Sequence, residues 1–185
     1  MDNLFLTGFM GTGKTAVGRA LAERLGRSFI DLDAEIERAA GRSVAEIFAR
    51  FGEAGFRTRE REALERLSEL DRAVVATGGG AVLDARNRKT MRARGRIICL
   101  TADVDTILRR VGRAADRPLL AGAPDPAERI DALLAERATA YAEADWTVET
   151  SQLGVADVVE SIVRRLAIVG NASSAPRGAS RARVG

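Results

Sequence analysis

The residues with the clearest chemical purpose stand near the N-terminus. Gly8-Phe-Met-Gly11-Thr12-Gly13-Lys14-Thr15 has the spacing G-x-x-x-x-G-K-[ST]. Its glycines let a loop fold around an anion with backbone N–H groups pointing inward. A helix starting at about Lys14 adds the positive end of its dipole. Lys14 brings a compact charge to β- and γ-phosphates, and the Thr15 hydroxyl is placed to ligate Mg²⁺. Gly11, Thr12, Gly13, Lys14, Thr15 and Ala16 are therefore the expected ATP contacts. The motif implies a bound nucleoside triphosphate and leaves the reaction open.

Further candidates follow along the chain. Asp31-Leu-Asp33 closes the second predicted strand, where alternate residues point to opposite sides and can do different jobs. One carboxylate can orient Mg²⁺ water while the other accepts a proton from a substrate hydroxyl. An ordinary strand-to-helix turn with an N-cap aspartate is the competing account. Arg57 and Glu60, three apart in Gly-Phe-Arg-Thr-Arg-Glu, are a plain surface pair or a guanidinium fixed for carboxylate recognition. Gly78-Gly79-Gly80 offers bare N–H groups for close approach to a ligand. Arg117, in Arg-Pro-Leu-Leu, lies in an aperiodic stretch, and Arg137 and Tyr141 come late in the helix beyond it. A loop arginine closing over a transferring phosphate neutralises transition-state charge.

Five short apolar runs must position these groups: Asn3–Thr7, Ser28–Leu32, Ala73–Thr77, Arg96–Thr101 and Trp146–Thr150. Most are too apolar to alternate, as strands buried on both faces are. Helical patterns lie between them, over Thr15–Leu25, Ser43–Phe51, Ala54–Leu70, Ala85–Arg94, Val104–Val111, Pro126–Ala142 and Val155–Val169. Strand and helix alternate, which predicts an α/β fold with a mostly parallel sheet. Residues 112–125 lack periodicity and read as a mobile loop. Residues 171–185 are poor in bulky apolar residues and read as a disordered basic tail, leaving 1–170 as one domain.

Composition closes off several chemistries. The chain has 185 residues, 46% of them apolar, which is enough for one buried core. It contains no histidine and one cysteine, so Ser-His-Asp catalysis, Cys/His zinc sites and internal disulfides are all excluded. No window reaches the length of a membrane span, and no basic segment precedes the first apolar run as in a secretory signal. The net charge of +3 invites a nucleic-acid reading. Arg177, Arg181 and Arg183 of the tail account for it. Without them, 26 of the 29 basic residues remain against 26 acidic ones, and the folded part is neutral. No nucleic-acid partner is expected.

Taken in order, GFMGTGKT, DLD, GFRTRE, GGG, DRPLL and ERATAYAEAD make residues 3–167 resemble shikimate kinase. The resemblance implies transfer of the ATP γ-phosphoryl group to the 3-hydroxyl of shikimate, within chorismate and aromatic amino-acid biosynthesis. It implies a three-layer sandwich around a five-stranded parallel sheet of the P-loop kinase type, with a mobile lid at about residues 112–125. It also implies a monomeric cytoplasmic enzyme. By the same resemblance, Asp33 holds the shikimate hydroxyls and acts as base. Arg57 and Arg137 clamp the carboxylate, Glu60 fixes Arg57, and Gly78, Gly79 and Gly80 line the ring side. Arg117 is the lid arginine, and Thr15 and Asp31 serve Mg²⁺. The chain departs from the family at Thr150-Ser151-Gln152-Leu153, which lacks the proline many members carry in the adenine-side loop. Arg109 or Arg110 is expected to stack on adenine. Asp103 is expected to cap a helix and Cys99 to be a small buried apolar residue.

Overall fold

Strands β1 (Asn3–Thr7), β2 (Ser28–Asp31), β3 (Ala73–Ala76), β4 (Gly95–Thr101) and β5 (Trp146–Glu149) are ordered by their apolar faces. In β1, Leu4 and Leu6 enter one core while Phe5 enters the other; Val74 and Val75 of β3 divide in the same way. A strand apolar on both faces needs helices above and below it. In the computed structural model, which describes residues 2–112, 119–120 and 122–173, the five strands form one parallel sheet. Their order is β2-β3-β1-β4-β5.

Helices α1 (Lys14–Leu25) and α7 (Val155–Ser173) cover one face. The other face is covered by α3 (Val44–Ser68), α4 (Ala85–Arg94), α5 (Val104–Val111) and α6 (Pro126–Ala142), with α2 (Leu32–Ala40) beside α3. This is the expected three-layer sandwich. Because β1 lies between β3 and β4, the loops leaving the carboxyl ends of these strands face a common crevice, the usual ligand position in open α/β sheets.

Two local outcomes differ from the sequence-based expectations and one agrees with them. The second strand stops at Asp31, whose Oδ1 accepts from the N–H of Asp33 (3.2 Å) and Ala34 (3.4 Å) and caps α2. Asp33 therefore sits in the first helical turn, and the argument from alternate strand residues does not apply to it. The two helices expected over Ser43–Leu70 are both present: α3 breaks at Gly52, whose φ of 65° and ψ of −177° are not helical, and resumes beyond it. Helix α7 runs past the expected domain limit to Ser173; residues 174–185, where most of the tail was expected, lie outside the described residues, as does Arg117.

A polar clamp at the start of β1 had no visible signal in the sequence. Asn3 is buried, and its Nδ2 donates to the carbonyls of Ser68 (3.2 Å) and Leu70 (2.6 Å) at the end of α3. Its Oδ1 accepts from the N–H of Ala73 (2.9 Å), the first residue of β3. Removing the amide leaves a buried N–H and carbonyl groups without partners, each an appreciable cost. Asn3→Ala is expected to lower stability by about 2–3 kcal/mol in a denaturant titration, with activity per folded molecule retained.

Candidate active site

The first loop after β1 takes its shape from its glycines. Gly8, Gly11 and Gly13 all have positive φ (123°, 76° and 93°), and Gly13 is the N-cap of α1. Lys14 Nζ donates to the carbonyls of Gly8 (2.9 Å) and Phe9 (2.8 Å), which holds the side chain folded over the loop. Thr12 is buried, its Oγ1 donating to the Phe9 carbonyl (2.8 Å), so this hydroxyl braces the loop from within. Gly11, Gly13, Lys14, Thr15 and Ala16 line a cavity of about 400 Å³ together with Met10, Asp31, Asp33, Thr77, Gly78, Gly79 and Arg110.

Asp31 does two jobs through its two oxygens. While Oδ1 caps α2, Oδ2 accepts from Thr15 Oγ1 at 2.9 Å. Both expected Mg²⁺ residues are thus joined beside the phosphate loop. Among the described residues no cluster of three or more His, Cys, Asp or Glu forms a metal cage. A hydroxyl and one nearby carboxylate fit an ion that keeps its waters and binds phosphate oxygens.

A second hollow of about 180 Å³ adjoins the first, sharing Met10, Asp33, Gly78 and Gly79 with it. Arg57, Glu60, Gly80 and Arg137 supply its polar groups. Arg57 donates to Glu60 Oε2 (2.8 Å) and, from the other side, to Glu53 Oε1 (3.1 Å). Sequence reasoning found Glu60 but missed Glu53, although its i,i+4 spacing is visible. Three polar atoms of this hollow are buried without a hydrogen-bond partner among the described residues: Asp33 Oδ1, Glu60 Oε1 and Arg137 Nε. Buried polar groups are ordinarily satisfied, so three orphans around one hollow mark a place for a polar ligand. Arg137 lies over the Phe9 ring, 5.5 Å from its centroid. Val44, Phe48, Phe56 and Leu119 form an apolar wall that sequence reasoning also missed. Their helical or loop positions carry no signal that separates pocket wall from core.

The remaining candidates are placed as follows. Arg110 donates to the carbonyl (2.7 Å) and hydroxyl (3.0 Å) of Thr150, joining α5 to the loop after β5 at the rim of the phosphate cavity. Arg109 donates instead to Thr106 Oγ1 (2.9 Å) and is not part of that lining. Asp103 caps α5 through the Thr106 N–H, and Cys99 is fully buried, both as expected.

Electrostatics follow from burial. Burial, then the neighbouring Asp31 charge, push the Asp33 carboxyl above its ordinary range, against the pull of Lys14. Burial also raises Glu60 despite Arg57. A carboxyl raised in the folded state costs stability once ionised, and that cost appears as pH climbs from the unfolded to the folded pKa. Asp33 makes no side-chain hydrogen bond among the described residues, so Asp33→Asn removes the cost and little else. The variant is expected to melt higher than the wild type at pH 7, with the gap closing as pH falls toward about 4; thermal denaturation at both pH values checks this.

The comparisons with known proteins agree with this geometry. The shikimate kinase family model matches residues 10–167. The shikimate kinase of Pelotomaculum thermopropionicum is 47% identical over 166 residues, covering 90% of this chain and 96% of its own. That of Geobacter metallireducens is 49% identical over 160 residues, covering 86% and 89%. Shikimate kinase from Acinetobacter baumannii in complex with shikimate superposes with a TM-score of 0.85 at 42% identity, covering 92% of this chain and 94% of that one. A gluconokinase from Sinorhizobium meliloti, at 20% identity and a TM-score of 0.61, shares the fold. A phosphate loop beside a hollow ringed by arginines and carboxylates thus occurs in a chain whose relatives are shikimate kinases over almost their whole length, and this chain belongs to the shikimate kinase family.

Proposed function

We infer that the protein transfers the γ-phosphoryl group of ATP to the 3-hydroxyl of shikimate, giving shikimate 3-phosphate and ADP for aromatic amino-acid biosynthesis. The observation that carries this reading is the shared boundary of the two hollows. The orphaned Asp33 Oδ1 lines both, with phosphate-binding residues on one side and arginines on the other.

Shikimate is a small carboxylate with several ring hydroxyls. Arg57, held by Glu53 and Glu60, and Arg137, held over Phe9, are the carboxylate partners. Guanidinium groups fixed in this way recognise a carboxylate with defined geometry. Asp33 takes the hydroxyl that reacts. As its oxygen bonds to the γ-phosphorus and the β–γ bridging bond breaks, the hydroxyl proton passes to the Asp33 carboxylate. A carboxyl already raised by burial is a better proton acceptor than an exposed one. Lys14 and the N–H groups of Gly11, Thr12 and Gly13 stabilise the charge that shifts onto the phosphate chain. Thr15 would hold Mg²⁺, with Asp31 beside it; the ion would supply charge neutralisation on the phosphate chain. Arg117 is assigned to the closing lid and Arg110 to the nucleotide rim. We read the enzyme as a cytoplasmic monomer that binds neither nucleic acid nor membrane. In support of the monomer, the protein's own helices cover both faces of the sheet.

ADP release measured with and without shikimate tests the reading, which is lost if shikimate does not raise the rate above background. Lys14→Ala is expected to abolish turnover, and near-normal activity would contradict the phosphate-loop role. Arg57→Ala should raise the shikimate KM far more than the ATP KM; equal losses count against it. Asp33→Asn should lower kcat about 10²- to 10⁴-fold. Wild-type kcat/KM should fall as pH drops through the raised Asp33 pKa.

A further inference from the structure

Tyr141 is the single tyrosine of the chain and is buried. It stands one helical turn beyond Arg137 on α6, so the two side chains leave the same face. Its hydroxyl donates to the carbonyl of Gly79 at 2.8 Å. In a trans peptide, the carbonyl of Gly79 and the N–H of Gly80 point in opposite directions from one rigid plane. Holding the oxygen therefore sets the direction of the N–H. Donation to the carbonyl also polarises the amide and strengthens it as a donor.

Among the described residues, the backbone of the loop around this peptide is otherwise hydrogen-bonded at its edges. The carbonyls of Gly78 and Gly80 accept from Ala81 N–H (3.1 Å) and Leu83 N–H (3.0 Å). The N–H groups of Gly79 and Gly80 have no partner among the described residues, and both glycines line the proposed shikimate hollow. Three consecutive glycines impose no side-chain restraint on the peptide between them.

We propose that Tyr141 is a positioning residue, whose hydroxyl holds and polarises the Gly79–Gly80 peptide so that the Gly80 N–H meets a ring hydroxyl of the substrate. The proposal rests on the reading of this hollow as the shikimate site. Burial pushes the Tyr141 phenol above its ordinary value, against the adjacent Arg137 cation, so the group remains a neutral donor around neutral pH.

The test is Tyr141→Phe, assayed beside wild type for thermal stability, kcat and both KM values. Wild-type turnover of shikimate is read first; its absence overturns the functional reading and this proposal with it. With wild type active and the variant folded, the shikimate KM is expected to rise about five- to twenty-fold, and the ATP KM by less than about twofold. The penalty should vanish for one monodeoxy shikimate, the analogue lacking the hydroxyl that the Gly80 N–H binds. An unchanged shikimate KM, equal losses for both ligands, or the same penalty for every deoxy analogue overturns the proposal while leaving the kinase reading intact. A second measurement does not depend on the variant folding. Biosynthetic 3-fluorotyrosine labels Tyr141 alone, and its fluorine resonance should shift on saturation with shikimate but not with ADP. A resonance that shikimate leaves unmoved also overturns the proposal.

Discussion

The active site depends on side chains that are missing along one short strip. A Cβ at Gly78 would stand 2.9 Å from Asp33 Oδ1 and 3.0 Å from Glu60 Oε1, and one at Gly80 would run into the Arg57 guanidinium. Gly79 lies against the phosphate loop, where a Cβ would meet the Gly8 carbonyl at 3.4 Å. The strip lets four elements close on one point: the loop after β1, the first turn of α2, the middle of α3 and the turn leaving β3. Side chains at Gly78 and Gly80 would displace Asp33, Glu60 or Arg57 from the positions they hold around this point. Near-attack geometry tolerates little such displacement.

Closeness has an electrostatic cost that the protein tolerates for function. Asp33 and Glu60 are both buried and both raised above their ordinary ranges, and each leaves one oxygen without a partner. A fold selected for stability alone would avoid this arrangement. On the proposed reading, a small polyhydroxy acid would supply the missing partners, and the stabilisation would be deferred to binding. Arg57 shows how the strain is limited. Burial opposes its charge, yet Glu60 and Glu53 outweigh that and hold it above its ordinary value, fixing the guanidinium before any ligand arrives. Arg137, with Nε unpartnered and an aromatic face beneath it, is held by packing instead.

The contrast between Asp31 and Asp33 shows how far the sequence could be read. Both were legible as a pair of carboxylates near the phosphate loop, because their type and position follow a strand. Their division of labour was not. The expected basis, opposite faces of one strand, fails because Asp31 ends the strand and caps the next helix. Capping, first held as a competing account, and contact with Thr15 turn out to be compatible, since a carboxylate has two oxygens. Helix α2 was overlooked because its nine residues begin without a break after the strand. In α3 the break between the two expected helical stretches was legible, and it falls at Gly52, where the backbone leaves helical angles.

By itself the sequence determined the fold class, the phosphate loop and the identity of most pocket residues. Those features are local: apolar periodicity sets which faces must be covered, and a glycine-lysine spacing encodes a loop conformation within eight residues. Only the tertiary structure decided that Phe48 and Phe56 wall the hollow, that Asn3 ties α3 to β3, and that Tyr141 reaches Gly79 across 62 positions. Such contacts join residues whose types are unremarkable and whose separations along the chain have no period. They exist because packing the helices on both faces of the sheet leaves each side chain one set of neighbours. No local pattern encodes that set.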